Sequence, residues 1–175
     1  MDTKITLTPV LSTQIDTFKK DLQDAFLKGL IDAFSEAENP IDMGPIPSDK
    51  DFDESIHSPE SASYYFKLGD TVVGGVVLQT NKQAQKNEVD FFYIKADVHS
   101  KGLGTKAWFA LEENFPQTKS WELHTPYFEK RNIHFYVNKC GFKIVEIYMM
   151  EDLDDPTEAG YEFLRFEKII NTKDC

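Results

Sequence analysis

Two glycines stand two residues apart in the segment His99-Ser100-Lys101-Gly102-Leu103-Gly104-Thr105, with Lys95 and Lys106 close by. Glycine lets a backbone approach an anion closely, and the free N–H groups at the start of a following helix point toward it. A pyrophosphate suits such a loop. Upstream, Glu88 and Asp90 fall two apart in a strand-like run. Period two places them on one strand face with Phe92 and Ile94, and acids among apolar neighbours acquire the raised pKa that a general base needs. Downstream, Asn132 and Tyr136 are one helical turn apart and point to the same side. Tyr136 is the candidate proton donor, with His134 as substitute. His124 is opposite in phase to Leu123 and is a candidate wall of an acceptor pocket; His57 falls in a loop.

Other nucleotide patterns compete for the glycines. Gly102-x-Gly104-x-x-Ala107, with Glu122 further on, also fits a dinucleotide fingerprint. That fold turns directly from its first strand into the glycines, whereas here Ala96–Lys101 intervene and three antiparallel strands precede. The GxxxxGK[ST] phosphate loop is absent.

These residues need a scaffold of a definite size. The chain has 175 residues, which suits one domain, 1–175, with a sizeable core. Hydrophobic residues make up 41% and no apolar run reaches a membrane span, so a globular chain off the membrane is expected. The opening residues lack a signal-peptide core, and the expected location is cytoplasmic. A formal charge of −11 disfavours nucleic acid as a partner. Eight acids lie in residues 36–60 against Lys50 alone; they read either as solvated loop or as an acidic mouth for a cationic amine. Cys140 and Cys175 make no disulfide framework, and Cys140 falls in an apolar helical pattern as a buried thiol. With no CxxC or HxxxH spacing and four scattered histidines, no metal is expected.

The elements follow from periodicity. Residues 4–10 alternate as a strand. Residues 13–37 carry Ile15, Phe18, Leu22, Phe26, Leu30 and Phe34 at helical spacing, and Gly29 is expected to divide them into two helices. Residues 39–62 read as a long loop with at most a helical turn. Ser63–Leu68, Thr71–Thr80 and Glu88–Lys95 form an antiparallel meander, its first turn at Gly69-Asp70. Gly74-Gly75 inside the second strand signals a bulge or a close backbone approach. A helix after Gly104, a strand through Trp121, Leu123 and Thr125, a helix ending at Gly141, and strands Lys143–Met150 and Glu162–Ile170 complete the chain. The order is β-α-α-β-β-β-α-β-α-β-β in one mixed sheet.

From about Tyr64 to Tyr148 the chain resembles the GNAT superfamily of acetyl-CoA-dependent N-acetyltransferases. That family's Q/R-x-x-G-x-G/A loop is matched by His99-Ser100-Lys101-Gly102-Leu103-Gly104, with His99 in place of the usual Gln or Arg. Its Asn-bearing helix running through Tyr into Gly-Phe is matched by Asn132 to Gly141-Phe142. Tyr136 stands one residue further from Gly141 than the family's tyrosine usually does. The resemblance implies an α/β (α+β) fold, a mixed, mostly antiparallel sheet of about seven strands flanked by helices. It implies attack by a primary amine of a small acceptor or peptide on the thioester of acetyl-CoA, both substrates being bound together. The cofactor-binding residues it implies are Ile94, Ala96, His99, Ser100, Lys101, Gly102, Leu103, Gly104, Thr105 and Asn132. It places Glu88 where the family often carries a catalytic Glu and makes Tyr136 the proton donor; Asp90 joins them as a catalytic candidate from the strand-face reading. A homodimer is common in the family. The other reading is a module of the same fold that binds acyl-CoA as a sensor or partner without turnover.

Overall fold

The computed structural model describes residues 4–33, 46–98, 102–150 and 161–171. Strand β1 (Ile5–Pro9) leads into helix α1 (Ile15–Ala33) and then helix α2 (Asp49–Ile56). A meander follows: β2 (Ser61–Leu68), β3 (Thr71–Asn81) and β4 (Lys86–Ile94). Helix α3 (Leu103–Asn114) crosses to β5 (Ser120–Pro126). Helix α4 (Lys130–His134) continues as a π turn over Phe135–Lys139, and β6 (Lys143–Met150) and β7 (Tyr161–Ile169) close the sheet. The sheet has seven strands in the order β1-β2-β3-β4-β5-β7-β6. Every neighbouring pair is antiparallel except β4–β5, which α3 joins as a parallel crossover. The expected mixed, mostly antiparallel α/β architecture is therefore present. No helix among the described residues is long and apolar enough to cross a membrane.

Two cores lie on opposite faces of this sheet. One packs Leu103, Ala107, Trp108 and Leu111 of α3 and Tyr136 of the π turn against Val76, Leu78, Val89, Trp121, Leu123 and Phe166. The other packs Phe18 and Leu22 of α1 and Phe52 of α2 against Tyr65, Val77 and Tyr93. The heptad-like spacing of α1 therefore faces the sheet as its sequence requires.

The element order came out as expected, but for a different reason. Helix α1 runs unbroken through Gly29, so that glycine does not divide it. A glycine inside a helix costs about 1 kcal/mol, less than burying any one of Phe18, Leu22 and Leu30 returns. The second helix instead lies in the stretch read as loop. Ser48 caps α2, its side chain accepting from the Asp51 N–H at 3.1 Å, and Asp49 and Asp51 sit in the first turn, where the helix dipole favours acids. Phe52 is fully buried and anchors it.

The glycine pair in β3 is explained by both alternatives. The β2–β3 register shifts beside Gly74, and a Cβ on Gly74 would strike the Tyr93 carbonyl, while one on Gly75 would enter the Phe18 and Tyr93 rings. Tyr93 and Phe18 meet edge to face at 5.4 Å across that gap.

Candidate active site

Strand β4 bonds to β5 only from Lys86↔Ser120 to Val89↔Leu123. Beyond Val89 the two strands part, although β4 continues to Ile94 and β5 to Pro126. On its other side β4 carries a bulge. Val89 pairs with Leu78 and Phe91 with Val77, so Asp90 is the extra residue. The parting opens a cavity of about 760 Å³ that reaches both faces of the sheet. On the α3 face it is lined by Phe92, Ile94, Gly104, Asn132, Phe135 and Tyr136; on the α1 face by Phe26, Leu30, Asp51, Asp90, Phe91 and Phe163.

The bulge corrects one expectation. Glu88 and Asp90 do not share a face with Phe92 and Ile94, because the extra residue inverts the alternation between them. Phe92 and Ile94 pack with the α3 core, whereas Phe91 and Tyr93 pack with the α1 core. Asp90 turns to the α1 side. Its Oδ2 accepts from Ser55 Oγ of α2 at 2.5 Å and from Gln79 Nε2 of β3 at 2.7 Å. Among the described residues no donor reaches its Oδ1.

Glu88 faces the same side but does not line the cavity; His124 stands between. The His124 Nε2 lies 3.8 Å from Glu88 and 3.8 Å from Glu122, and Nδ1 is 2.7 Å from the Tyr148 hydroxyl. Burial holds the Glu88 carboxyl above the ordinary carboxylate value, with Asp90 and Glu122 adding to the rise. Glu122 goes the other way. Burial raises it, but Lys86 at 3.4 Å and Arg165 at 3.1 Å, with His124, outweigh that and lower it. Glu88, Glu122 and His124 bring possible ligand atoms within 4.8 Å of one another, a convergence that no linear spacing reveals. Two of its members come from β5 and one from β4, so only the strand register assembles it.

Tyr136 is buried at 8% exposure and lines the cavity. Burial raises its hydroxyl well above the ordinary phenol value, with Cys140 and Glu129 adding to the rise. Asn132 also lines the cavity, its amide donating to Glu129 Oε2 at 3.3 Å. Burial raises the Glu129 carboxyl as well, against the pull of Arg131. Cys140 is a buried free thiol, pushed up to about 12 chiefly by burial. His134 is exposed and has no place in the cavity.

At the glycine loop, Gly102 is the residue before α3 and has φ +84°, a conformation that favours glycine. A Cβ on Gly104 would press on the Phe135 ring at 3.2 Å. Leu103 is buried in the α3 core, so only its main chain faces outward. The Ala96 carbonyl accepts from Lys28 Nζ at 3.1 Å. His99, Ser100 and Lys101 lie outside the described residues.

The model of the Acetyltransferase (GNAT) family matches residues 24–142 of this chain, more than half its length. The chain belongs to the GNAT acetyltransferase family. The Bacillus subtilis protein YrkN is 42% identical to it over 183 residues, covering 98% of this chain and 96% of YrkN. Solved structures share the fold at lower identity. A Bacillus subtilis acetyltransferase in complex with CoA aligns with a TM-score of 0.64 at 20% identity, covering 96% of this chain and all of that one. The Escherichia coli ribosomal-protein-S18-alanine N-acetyltransferase aligns at 0.67 and 12%, covering 98% of each. A Vibrio cholerae spermidine N-acetyltransferase, in complex with CoA and spermine, aligns at 0.64 and 14%, covering 95% of each.

Membership in the GNAT family sets two sequence observations in place. The dinucleotide alternative falls: α3 packs on one face of the sheet, and Glu122 lies on the other, paired with Lys86 and Arg165. The displaced Tyr136 has a structural counterpart. The Cys140 N–H bonds to the Phe135 carbonyl, five residues back, at 3.1 Å. Such a π turn takes up one extra residue without ending the helix.

Proposed function

We propose that this chain moves an acetyl group from acetyl-CoA to a primary amine of a small acceptor or peptide, by direct attack with both substrates bound. In this reading residues 1–175 act as one cytoplasmic domain. The observation that carries it is the cavity between β4 and β5, which joins the glycine loop on one sheet face to a carboxylate and imidazole cluster on the other.

The residues present fit the donor. From Asp90 to Ile94 the β4 edge has no strand partner toward β5, and its main-chain groups are available to the amides of a pantetheine arm near Ile94 and Ala96. Gly102 and Gly104 open the N-terminus of α3 to the pyrophosphate, with the main chain of Leu103 and Thr105 between and after them. His99, Ser100 and Lys101, adjacent in sequence, and Asn132, which lines the cavity from α4, are the further residues that would hold the donor. Acetyl-CoA supplies the activated thioester.

The chain's own groups manage the protons. The acceptor's ammonium meets the open Oδ1 of Asp90. Its proton passes through a bridging water to Glu88, and His124, held through Nδ1 at Tyr148, stands beside that path with Nε2 3.8 Å from the Glu88 carboxylate. The raised pKa of Glu88 makes it a stronger base than a solvated carboxylate. Tyr136, kept protonated by burial, supplies the proton to the departing thiolate from the α3 side.

A calorimetric titration with acetyl-CoA, run beside a Gly104→Glu variant, tests the donor site. Binding is expected at roughly micromolar Kd, with at least tenfold loss in the variant as its side chain is driven against Phe135. An amine panel followed by thiol release then separates a transferase from a module that binds without turnover.

A further inference from the structure

We propose that the acceptor is a monoamine with an apolar, aromatic-sized body, its ammonium seated between Asp90 and Asp51 and its body against Phe26, Leu30, Phe91 and Phe163. The inference rests on the transferase reading for its purpose, but the subsite is argued from the walls of the cavity alone.

The carboxylates gather at one end. Asp51 and Ser55 are four apart on α2 and share a helix face, and Ser55 bonds to Asp90 at 2.5 Å. Asp51 and Asp90 both line the cavity, and among the described residues neither has a lysine or arginine within ion-pair distance. Both hydrogen bonds to Asp90 come from neutral groups and reach the same oxygen, so its charge is not neutralised.

Apart from His124, the remaining wall on this face is apolar. Ala25, Phe26 and Leu30 from α1 face Phe91 from β4, and Phe26 meets Phe91 edge to face at 6.2 Å. Ile46 and Pro47 close one side, and Phe163, stacked on Tyr148 at 5.9 Å, closes the other. Glu129, a further carboxylate lining the cavity, is bonded to Asn132 on the α3 face, so a polyamine laid along this wall would bring its second ammonium against Phe26 and Leu30, where water is displaced and neither Asp51 nor Asp90 stands. A hydrocarbon body has the opposite preference, each buried methylene being worth roughly fourfold in affinity. A free ammonium near Phe91 also gains from the ring faces.

The test is calorimetry on the free and the CoA-saturated protein with three probes: phenethylamine, spermidine and phenethyl alcohol. Phenethylamine is expected to bind about tenfold or more tighter than either of the others. Asp90→Asn is expected to weaken it about tenfold and leave the alcohol unchanged, while Phe26→Ala weakens amine and alcohol alike. Melting curves confirm that each variant is folded, and either variant suffices. Tighter spermidine, equal affinity for amine and alcohol, or no amine binding at all would overturn the proposal. Acetyl-CoA titrated into the same sample keeps the two readings apart. Its failure to bind sinks the transferase reading, while the three-probe ranking still decides the subsite.

Discussion

Glu88 carries opposite consequences for catalysis and stability. Its pKa is raised in the folded state, chiefly by burial, so the folded protein holds this proton more tightly than the unfolded chain does. The group therefore favours folding below its ordinary value and loses that contribution as pH rises through the raised one. Glu88→Gln is expected to lower kcat by about a hundredfold. The same change is expected to raise Tm near neutral pH by roughly 1–3 °C, a small gain because the side chain is partly solvated. A melting curve at two pH values with a parallel rate measurement checks both signs. Tyr136→Phe separates proton donation from packing, since the ring stays among Phe135, Phe142 and Phe166. Its kcat is expected to fall about tenfold or more at unchanged acetyl-CoA affinity. Because the hydroxyl is held above its ordinary value, the wild-type rate should show no loss of the donor up to about pH 10. A basic limb well below that, which Tyr136→Phe leaves in place, belongs to another group and would remove Tyr136 from the role.

At the scale of elements, three local irregularities build the site. The bulge at Asp90 turns a carboxylate to the α1 face, the early end of β4–β5 pairing opens the cavity, and the π turn sets Tyr136 on its wall. Helix α2 ties the α1 face of the cavity together through the bond from Ser55 to Asp90 and the cap at Ser48. Ser48→Ala is expected to cost about 1 kcal/mol of stability. It should raise KM for an amine acceptor severalfold, with the acetyl-CoA affinity untouched, because α2 packs on the α1 face of the sheet, where the acceptor is proposed to bind. Denaturant unfolding and steady-state kinetics on the same preparation measure the two effects. The bulge was not legible in the residues, because it adds no letter that marks it, and the π turn showed only as a tyrosine one residue out of place. Helix α2 was read as no more than a helical turn within a loop, because its proline-rich flanks and run of charges argued for loop; its Ser48 cap and buried Phe52 are findings of the structure.

For the whole molecule, the net charge of −11 acts on association rather than on fold. An amine cation is drawn toward it, and an anionic CoA thioester is repelled. Raising salt from about 20 to about 300 mM is expected to increase KM for a cationic acceptor severalfold and to leave the acetyl-CoA Kd equal or lower. Combining Asp49, Asp51, Asp53 and Glu54 neutral variants should remove most of the acceptor's salt dependence. An acceptor KM insensitive to both salt and these changes would assign the acids to solubility alone.

By itself the sequence determined the family, the order of elements and the inward residues of α1, α3 and β5, because each follows from local periodicity and from short motifs on adjacent residues. It marked Gly102, Gly104, Asn132 and Tyr136 for the same reason. Tertiary structure decided which groups meet. His124 stands beside Glu88 because β4 and β5 pair in one register, and it reaches Tyr148 through β7 and β6. Asp90 reaches Ser55 across thirty-five positions of chain because a bulge turns it over and a helix cap fixes its partner. Those distances depend on strand pairing and phase, which no spacing along a single chain encodes.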